Sequence, residues 1–137
     1  MSINMHGNAL ICFIASILTD QLSASYTKWK VHNNTDIKIE TFCTSDDITG
    51  LNNKATFSSG MIDVRSTYTH TWGSAWYNDG MGLNPAKFNC RVTSASNPNK
   101  SNYIRFKTGW NELVKLKIDQ IKGQLVVTKI PENSDKK

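Results

Sequence analysis

Few side chains in this 137-residue chain are suited to catalysis, and their spacing follows no catalytic motif. His70, Asp63 and one of the many serines could form a Ser-His-Asp site, in which the histidine acts as general base toward the serine hydroxyl. The motifs that position a nucleophile, a zinc ion or a phosphate, such as G-x-S-x-G, H-E-x-x-H and the P-loop, do not occur. We therefore expect a protein that is not an enzyme and needs no cofactor.

Two clusters of acidic and amide side chains offer oxygen ligands for a hard cation. Asp46-Asp47 and Asn78-Asp79-Gly80 contain such oxygens, but neither follows the spacing of an EF-hand loop. Asp and Asn cap turns and tolerate left-handed backbone, so turn formation explains both clusters. We expect no metal site.

The segment from Tyr68 to Leu83 is rich in aromatic residues and glycine. Mobile loops of this composition often form contacts with sugars, lipid headgroups or proteins, because the rings offer large area at little cost in rotamer entropy. We predict a binding loop formed by Tyr68, Trp72, Trp76 and Tyr77. In the alternative, Trp72 and Trp76 point inward and close one end of the domain.

The chain is moderately basic, with 16 Lys and Arg against 11 Asp and Glu and a sequence pI near 9.2. The last two predicted strands carry lysines at outward positions, namely Lys115, Lys117, Lys122 and Lys129. Arg105 and Lys107 occupy outward positions on the predicted strand before them. Such a stripe could contact an anionic surface, or it could be the solvated face of an edge hairpin, where lysines discourage strand addition. We do not expect a nucleic-acid partner, because the N-terminus predicts secretion.

The N-terminus has the layout of a secretory signal peptide. Ala9 to Leu18 is an apolar run of ten residues, too short for a bilayer span of about twenty. The small residues Ser23-Ala24-Ser25 suit cleavage before Tyr26. We predict a signal peptide at residues 1–25 and no transmembrane segment in the mature, extracellular chain; the alternative is a buried N-terminal helix or strand.

The cysteine count supports secretion. Removal of residues 1–25 takes Cys12 away and leaves the pair Cys43 and Cys90. A secreted domain with two cysteines most simply forms one disulfide, whereas in a cytosolic protein the two would be buried thiols. Two sequons make Asn33 and Asn99 candidates for N-glycosylation.

From Tyr26 onward the dominant periodicity is two, which is typical of strands with one buried face. Turn signals about every ten residues separate the strands, so we predict an all-β domain at residues 26–130, a small antiparallel sandwich or barrel of about seven to nine strands. Asn111–Ile121 could instead form a short helix, and residues 131–137 form a charged tail that we expect to be disordered. The predicted strands are Thr27–His32, Asp36–Thr44, Lys54–Phe57, Met61–Tyr68, Lys87–Thr93, Tyr103–Lys107, Leu113–Ile118 and Gln124–Ile130.

Short motifs along residues 28–92 resemble those of the plant self-incompatibility proteins and their secreted homologues. These motifs are Val31-His32-Asn33-Asn34, Cys43-Thr44-Ser45-Asp46-Asp47, Gly60 and Phe88-Asn89-Cys90. The chain departs from the family in a longer interval between Gly60 and Cys90 and in lacking further cysteines toward the C-terminus. The resemblance implies a secreted β-sandwich, structural cysteines at positions 43 and 90, and a ligand in cell–cell recognition that acts through exposed loops.

The aromatic loop is also similar in style to the loops with which aegerolysin-type and actinoporin-type cytolysins bind membrane lipids, a likeness of composition and fold class alone. We therefore expect a monomeric, non-enzymatic secreted protein whose partner is a cell-surface protein, a membrane lipid or a glycan. Cell recognition is the first hypothesis, and lipid binding through the aromatic loop is the alternative.

Overall fold

The computed structural model describes residues 26–48, 50, 53–73 and 77–131, with the backbone alone at residues 98–100. The predicted signal peptide, Trp76 and all of the predicted tail except Pro131 lie outside these residues. The described chain forms strands and turns and contains no α-helix. The strands are β1 (Lys28–Asn34), β2 (Ile39–Ser45), β3 (Thr56–Ile62), β4 (Thr67–Thr71), β5 (Asn78–Asp79), β6 (Gly82–Leu83), β7 (Lys87–Ser94), β8 (Asn97–Lys107), β9 (Lys115–Ile121) and β10 (Gln124–Ile130).

Two four-stranded sheets pack face to face, which confirms the predicted all-β sandwich. The first sheet has the strand order β10-β9-β1-β4, and the second has the order β3-β2-β7-β8. A short β5-β6 ribbon stands apart from both sheets. All neighbouring strands are antiparallel except β1 and β9, which run parallel. The parallel pair departs from the purely antiparallel prediction, because strands so far apart in sequence can meet in either direction.

The period-two pattern divides each strand between the core and the solvent. Trp29 and Val31 on β1 and Leu116 on β9 are buried, while Lys30 between the first two is exposed. Trp29 lies at the centre of the core and makes an edge-to-face contact with Phe88, with ring centroids 4.6 Å apart. Such aromatic contacts add to the free energy gained by removing the rings from water.

Strand β9 resolves the ambiguity at residues 111–121 in favour of a strand. Leu116 and Ile118 point into the core, and Lys115 and Lys117 between them are only partly buried. This alternation requires extended backbone, since a helix would spread these side chains around its axis.

The predicted strand Met61–Tyr68 is wrong, because the chain turns at residues 63–66 between β3 and β4. The turn is closed by a hydrogen bond from Ser66 N to Asp63 O, and Arg65 adopts a left-handed φ of 58°. Ser59-Gly60 and Asn97-Pro98-Asn99 have the composition of turns, but the chain runs through both in extended strands. Gly60, with a φ of 65°, lies within β3 at a β-bulge opposite β2, and the β7–β8 turn lies at residues 95–96.

The predicted disulfide is confirmed. Cys43 and Cys90 occupy directly opposite positions on β2 and β7, the central strands of the second sheet, and their sulfur atoms are bonded. Both side chains are fully buried. The bond therefore joins the two central strands from the core side of the sheet and leaves the outer side free.

Asn33, near the end of β1, links this strand by hydrogen bonds to the start of β2 and to the β3–β4 turn. Its side chain is buried, and its Nδ2 atom lies 2.8–3.1 Å from the carbonyl oxygens of Ile37, Ile62 and Asp63. Its Oδ1 atom accepts hydrogen bonds from the backbone nitrogen and hydroxyl of Thr35. A glycan is attached through Nδ2, so a glycosylated Asn33 would lose these hydrogen bonds and would not fit this buried position.

Candidate binding face

Trp72 from the predicted binding loop belongs to the core. Its side chain is 1% exposed and meets the Trp29 ring edge to face at 5.2 Å. Its backbone nitrogen donates to Thr27 O at 2.9 Å, which fixes the end of β4 beside β1. Trp72 is therefore unavailable to a partner, as the inward-pointing alternative predicted.

The tyrosines of the predicted loop are half-buried and turned toward the core. The Tyr68 hydroxyl lies 3.3 Å from His70 Nδ1, and the Tyr77 ring meets Trp72 edge to face at 5.8 Å. The structure thus brings Tyr68, Trp72 and Tyr77 together as packing residues at the side of the sandwich where β3 and β4 meet. Trp76 lies outside the described residues.

His70 is held among aromatic rings. It stacks on Phe57 with centroids 4.4 Å apart and meets Trp72 edge to face at 4.5 Å. Burial lowers the pKa of His70 below its usual value of 6.5, which favours the neutral ring. Asp63 forms an ion pair with Lys38 at 3.7 Å, so the structure does not join it to His70 as a Ser-His-Asp site requires.

Asp46 and Asp47 of the first acidic cluster act as turn residues, whereas Asn78 and Asp79 of the second form strand β5 just before the turn at Gly80. Asp47 Oδ1 accepts hydrogen bonds from the backbone nitrogens of Gly50 and Asn53, and Asp46 Oδ1 accepts one from Lys87 N at 3.1 Å. In the described ranges, no three His, Cys, Asp or Glu side chains are grouped so as to hold a metal ion.

The outer side of the second sheet carries a row of exposed rings and a guanidinium. Phe42 on β2, Arg91 on β7 and Tyr103 on β8 are register neighbours, so they form a line across three strands. Phe42 is 40% exposed and Tyr103 is 56% exposed. The Arg91 guanidinium lies 5.8 Å from the centroid of the Phe42 ring, a cation–π contact that leaves its charge exposed.

Further cations lie beside this row toward the ends of the same strands. Lys87 and Lys107 are directly opposite each other on β7 and β8, and Arg105 lies between Lys107 and the row. All three are exposed. We call the following set the aromatic–basic face: Phe42, Lys87, Arg91, Tyr103, Arg105 and Lys107.

A shallow cleft of about 500 Å³ opens at the lysine end of this face. Lys87, Arg105 and Lys107 line the cleft together with Asp46 and Asn89. Like charges directly opposite each other on neighbouring strands destabilise a sheet. Among the described residues that line the cleft, three are cations and only Asp46 is negative, so the cleft is electropositive.

The lysine stripe of the sequence-based prediction is divided between the two sheets. Arg105 and Lys107 belong to the second sheet, whereas Lys117 and Lys129 belong to the first and form ion pairs there. Lys129 Nζ lies 2.6 Å from Glu112 Oε2 and also over the Phe106 ring, so it closes the gap between β10 and β8. The structure therefore does not join these cations into one stripe, and Lys117 and Lys129 lie on the β9–β10 hairpin at the edge of the first sheet.

A second exposed aromatic residue lies at one end of the sandwich. Trp110 is 55% exposed, and its indole ring lies against Gly82, where a Cβ atom would be 2.4 Å from the ring. Asn111 holds this loop in place through a hydrogen bond from its backbone nitrogen to Leu83 O. Trp110 is thus presented in a fixed orientation.

The sequence-based prediction did not select Phe42, Arg91 and Trp110 as binding residues. The signal for Phe42 was the period of two, since it alternates with the buried Cys43 and must face outward. Arg91 follows the same rule beside Cys90. Trp110 had no such signal, because it lies in a loop where no periodicity applies.

Comparison of the chain with family profiles, with curated proteins and with solved structures finds no match. Within the part of the chain that the structure describes, no helix has the length and hydrophobicity needed to span a bilayer.

Proposed function

We propose that this chain is a small secreted recognition protein without catalytic activity that binds a partner at a cell surface. The observation that carries the proposal is the aromatic–basic face, in which Phe42, Arg91 and Tyr103 form an exposed line on a regular sheet. Tyr, Phe and Arg are the side chains that dominate binding energy in protein interfaces. Because the strands fix their positions, little ordering entropy is lost on binding.

The resemblance to the plant self-incompatibility proteins supports a role in recognition. It implies structural cysteines at positions 43 and 90, and the bond between them is compatible with that role. A buried structural disulfide is also typical of proteins that fold in an oxidising compartment, which supports secretion. The proposal differs from the sequence-based expectation in its surface, since a sheet face replaces the aromatic loop.

Cell-binding measurements test this proposal. Fluorescently labelled protein should bind saturably to the surface of cells from its source tissue, and R91A/Y103A should reduce that affinity at least about tenfold, because both side chains lie at the centre of the proposed contact. The control K30A/I121A removes one exposed cation and one exposed apolar chain elsewhere and should leave the affinity unchanged. Equal affinity for all three proteins would contradict the proposed face, and absence of saturable binding would contradict the function.

Lipid binding is a second candidate function, and one observation favours it. Trp110 and Leu113 are both exposed in the loop between β8 and β9, and Trp is well suited to the membrane–water interface. In this form of the hypothesis Trp110 replaces the buried Trp72 as the membrane contact.

Vesicle binding tests the second candidate. Liposomes containing sphingolipid and sterol should bind the protein, and W110A should abolish the binding. Gly82→Ala should weaken it too, because the added Cβ displaces the indole ring while the backbone at position 82 accepts alanine. Unchanged vesicle binding by W110A would refute lipid binding through this end of the molecule.

A further inference from the structure

We propose that the partner of the aromatic–basic face is a linear anionic polysaccharide, with its carboxylate or sulfate groups on the cations and its sugar rings on Tyr103 and Phe42. This inference rests on the proposed function and names the chemical class of the partner. It follows from charge, spacing and shape together.

The cations of the face form no ion pair in the described parts of the chain, although the exposed carboxylate of Glu40 lies on the same outer side of β2 as Phe42. In the described parts of the chain, ion pairs engage Lys38, Arg65, Lys117 and Lys129, all of them outside the face. Lys87, Arg91, Arg105 and Lys107 form no ion pair within those parts. Asp46 contributes one negative charge at the edge, and its Oδ1 atom is already bonded to the backbone nitrogen of Lys87. A bound anion would therefore relieve the repulsion between the opposed lysines.

The spacing of the cations suits a repeating anion. Lys87 and Lys107 are one interstrand distance apart, about 5 Å, and the Arg91 row lies four residue pairs further along the strands, about 13 Å away. Arg105 lies between them. Charges distributed over such a length match a polymer with one anionic group in each repeat better than a single small anion.

The shape of the face favours sugar rings over a membrane or a protein knob. Phe42 and Tyr103 lie on a regular sheet on either side of Arg91, so neither ring projects as an apolar wedge that could enter a bilayer. The cleft at the lysine end is shallow, and the rings of Phe88 and Phe106 line it beside the charged side chains, so it offers an apolar surface bordered by cations rather than a deep pocket for a protein anchor. Pyranose rings present flat C–H faces bordered by hydroxyl groups, which can pack on the two rings while the anionic groups reach the cations.

Calorimetric titration of the purified full chain tests the inference. The probes are heparin for sulfate groups, polygalacturonate for carboxylate groups, uncharged dextran, and polyglutamate as a polyanion without sugar rings. We expect salt-dependent binding to at least one anionic polysaccharide, at least about tenfold weaker binding to polyglutamate, and no binding to dextran. The preferred probe distinguishes sulfate from carboxylate recognition.

Two variants that each remove two positive charges distinguish the contribution of the face to binding from the effect of net charge. R105Q/K107Q should weaken polysaccharide binding at least about tenfold and reduce its salt dependence. K30Q/K54Q removes two exposed cations outside the face and should change the affinity less than about twofold. Y103A should weaken binding while leaving the salt dependence unchanged, because it removes a ring and no charge.

These experiments distinguish failure of the polysaccharide inference from failure of the proposed recognition function. Equal losses in the two charge variants, or equal affinity for polyglutamate, would overturn the inference. Failure to bind either polysaccharide would overturn it as well. In that case saturable binding to cells that depends on the face would still support the recognition function, with a different partner. Absence of both polysaccharide binding and cell binding would overturn the inference and the proposed function together.

Discussion

At the scale of single residues, the aromatic side chains of Trp72 and Tyr103 differ in role, since one packs in the core and the other is exposed on the sheet. Trp72 is enclosed by Trp29, Phe57 and Phe88, whereas Tyr103 has 56% of its surface in solvent. Trp72→Ala should lower the free energy of unfolding by about 3–5 kcal/mol, as expected for loss of a buried ring. Tyr103→Ala should change it by less than about 0.5 kcal/mol. Urea unfolding of both variants measures the difference, and equal stabilities would contradict the position of Trp72.

His70 predicts a pH dependence of stability. Because burial lowers its pKa, the folded domain binds this proton less tightly than the unfolded chain does. The free energy of unfolding should therefore decline as the pH falls below about 6.5 and level off once His70 is protonated in the folded state too. His70→Gln should remove this decline between pH 5 and 7 in urea unfolding, and His32→Gln is the control that should keep it. An unaltered profile in the first variant would refute the assignment to His70.

At the scale of elements, the disulfide joins β2 to β7 across a sequence separation of 47 residues. Closing a loop of that length stabilises a folded domain by about 4 kcal/mol through the lost entropy of the unfolded chain. C43A/C90A should therefore lower the free energy of unfolding by roughly that amount and reduce the melting temperature. A loss below about 1 kcal/mol would show that the two strands are held together by hydrogen bonds and core packing alone.

The strands that sequence predicts well are those whose alternation is strict. In β9, Leu116 and Ile118 alternate with lysines, and the strand lies where that pattern places it. The break between β3 and β4 was missed because residues 62–66 contain no Gly, Pro or Asn, and the turn depends on carbonyl oxygens held by the distant Asn33. The parallel pairing of β1 with β9 was missed for a related reason, since partner and direction are set by the packing of the whole core.

The candidate site was predictable only in part, and the reason is again the distance between its residues in sequence. Period two places Phe42, Arg91 and Tyr103 on outward positions of three strands. Their assembly into one line requires the register of β2, β7 and β8, which depends on hydrogen bonding between β2 and β7, whose partners Phe42 and Arg91 are 49 residues apart in sequence. The aromatic loop attracted attention through composition, which does not reveal whether a ring points inward.

At the scale of the whole molecule, the excess of positive charge is arranged unevenly. In the first sheet, two of the cations have carboxylate partners, Lys117 with Asp119 and Lys129 with Glu112. The second sheet presents its cations on the aromatic–basic face without such partners in the described residues. An uneven distribution of this kind steers association with anions and orients the molecule as it approaches them. The charge distribution of the sandwich therefore favours encounters in which the aromatic–basic face approaches the anionic partner first.

Compartment and covalent state can be tested together by the intact mass of protein produced in a eukaryotic host. We expect the medium to contain a chain that begins near Tyr26 and is lighter than its reduced form by two hydrogens, because Cys43 and Cys90 are bonded. Asn33 should carry no glycan, since the folded domain buries its amide nitrogen among three carbonyl oxygens. A full-length chain with three alkylatable thiols would contradict secretion and with it the cell-surface partner, because the aromatic–basic face would then meet intracellular polyanions instead.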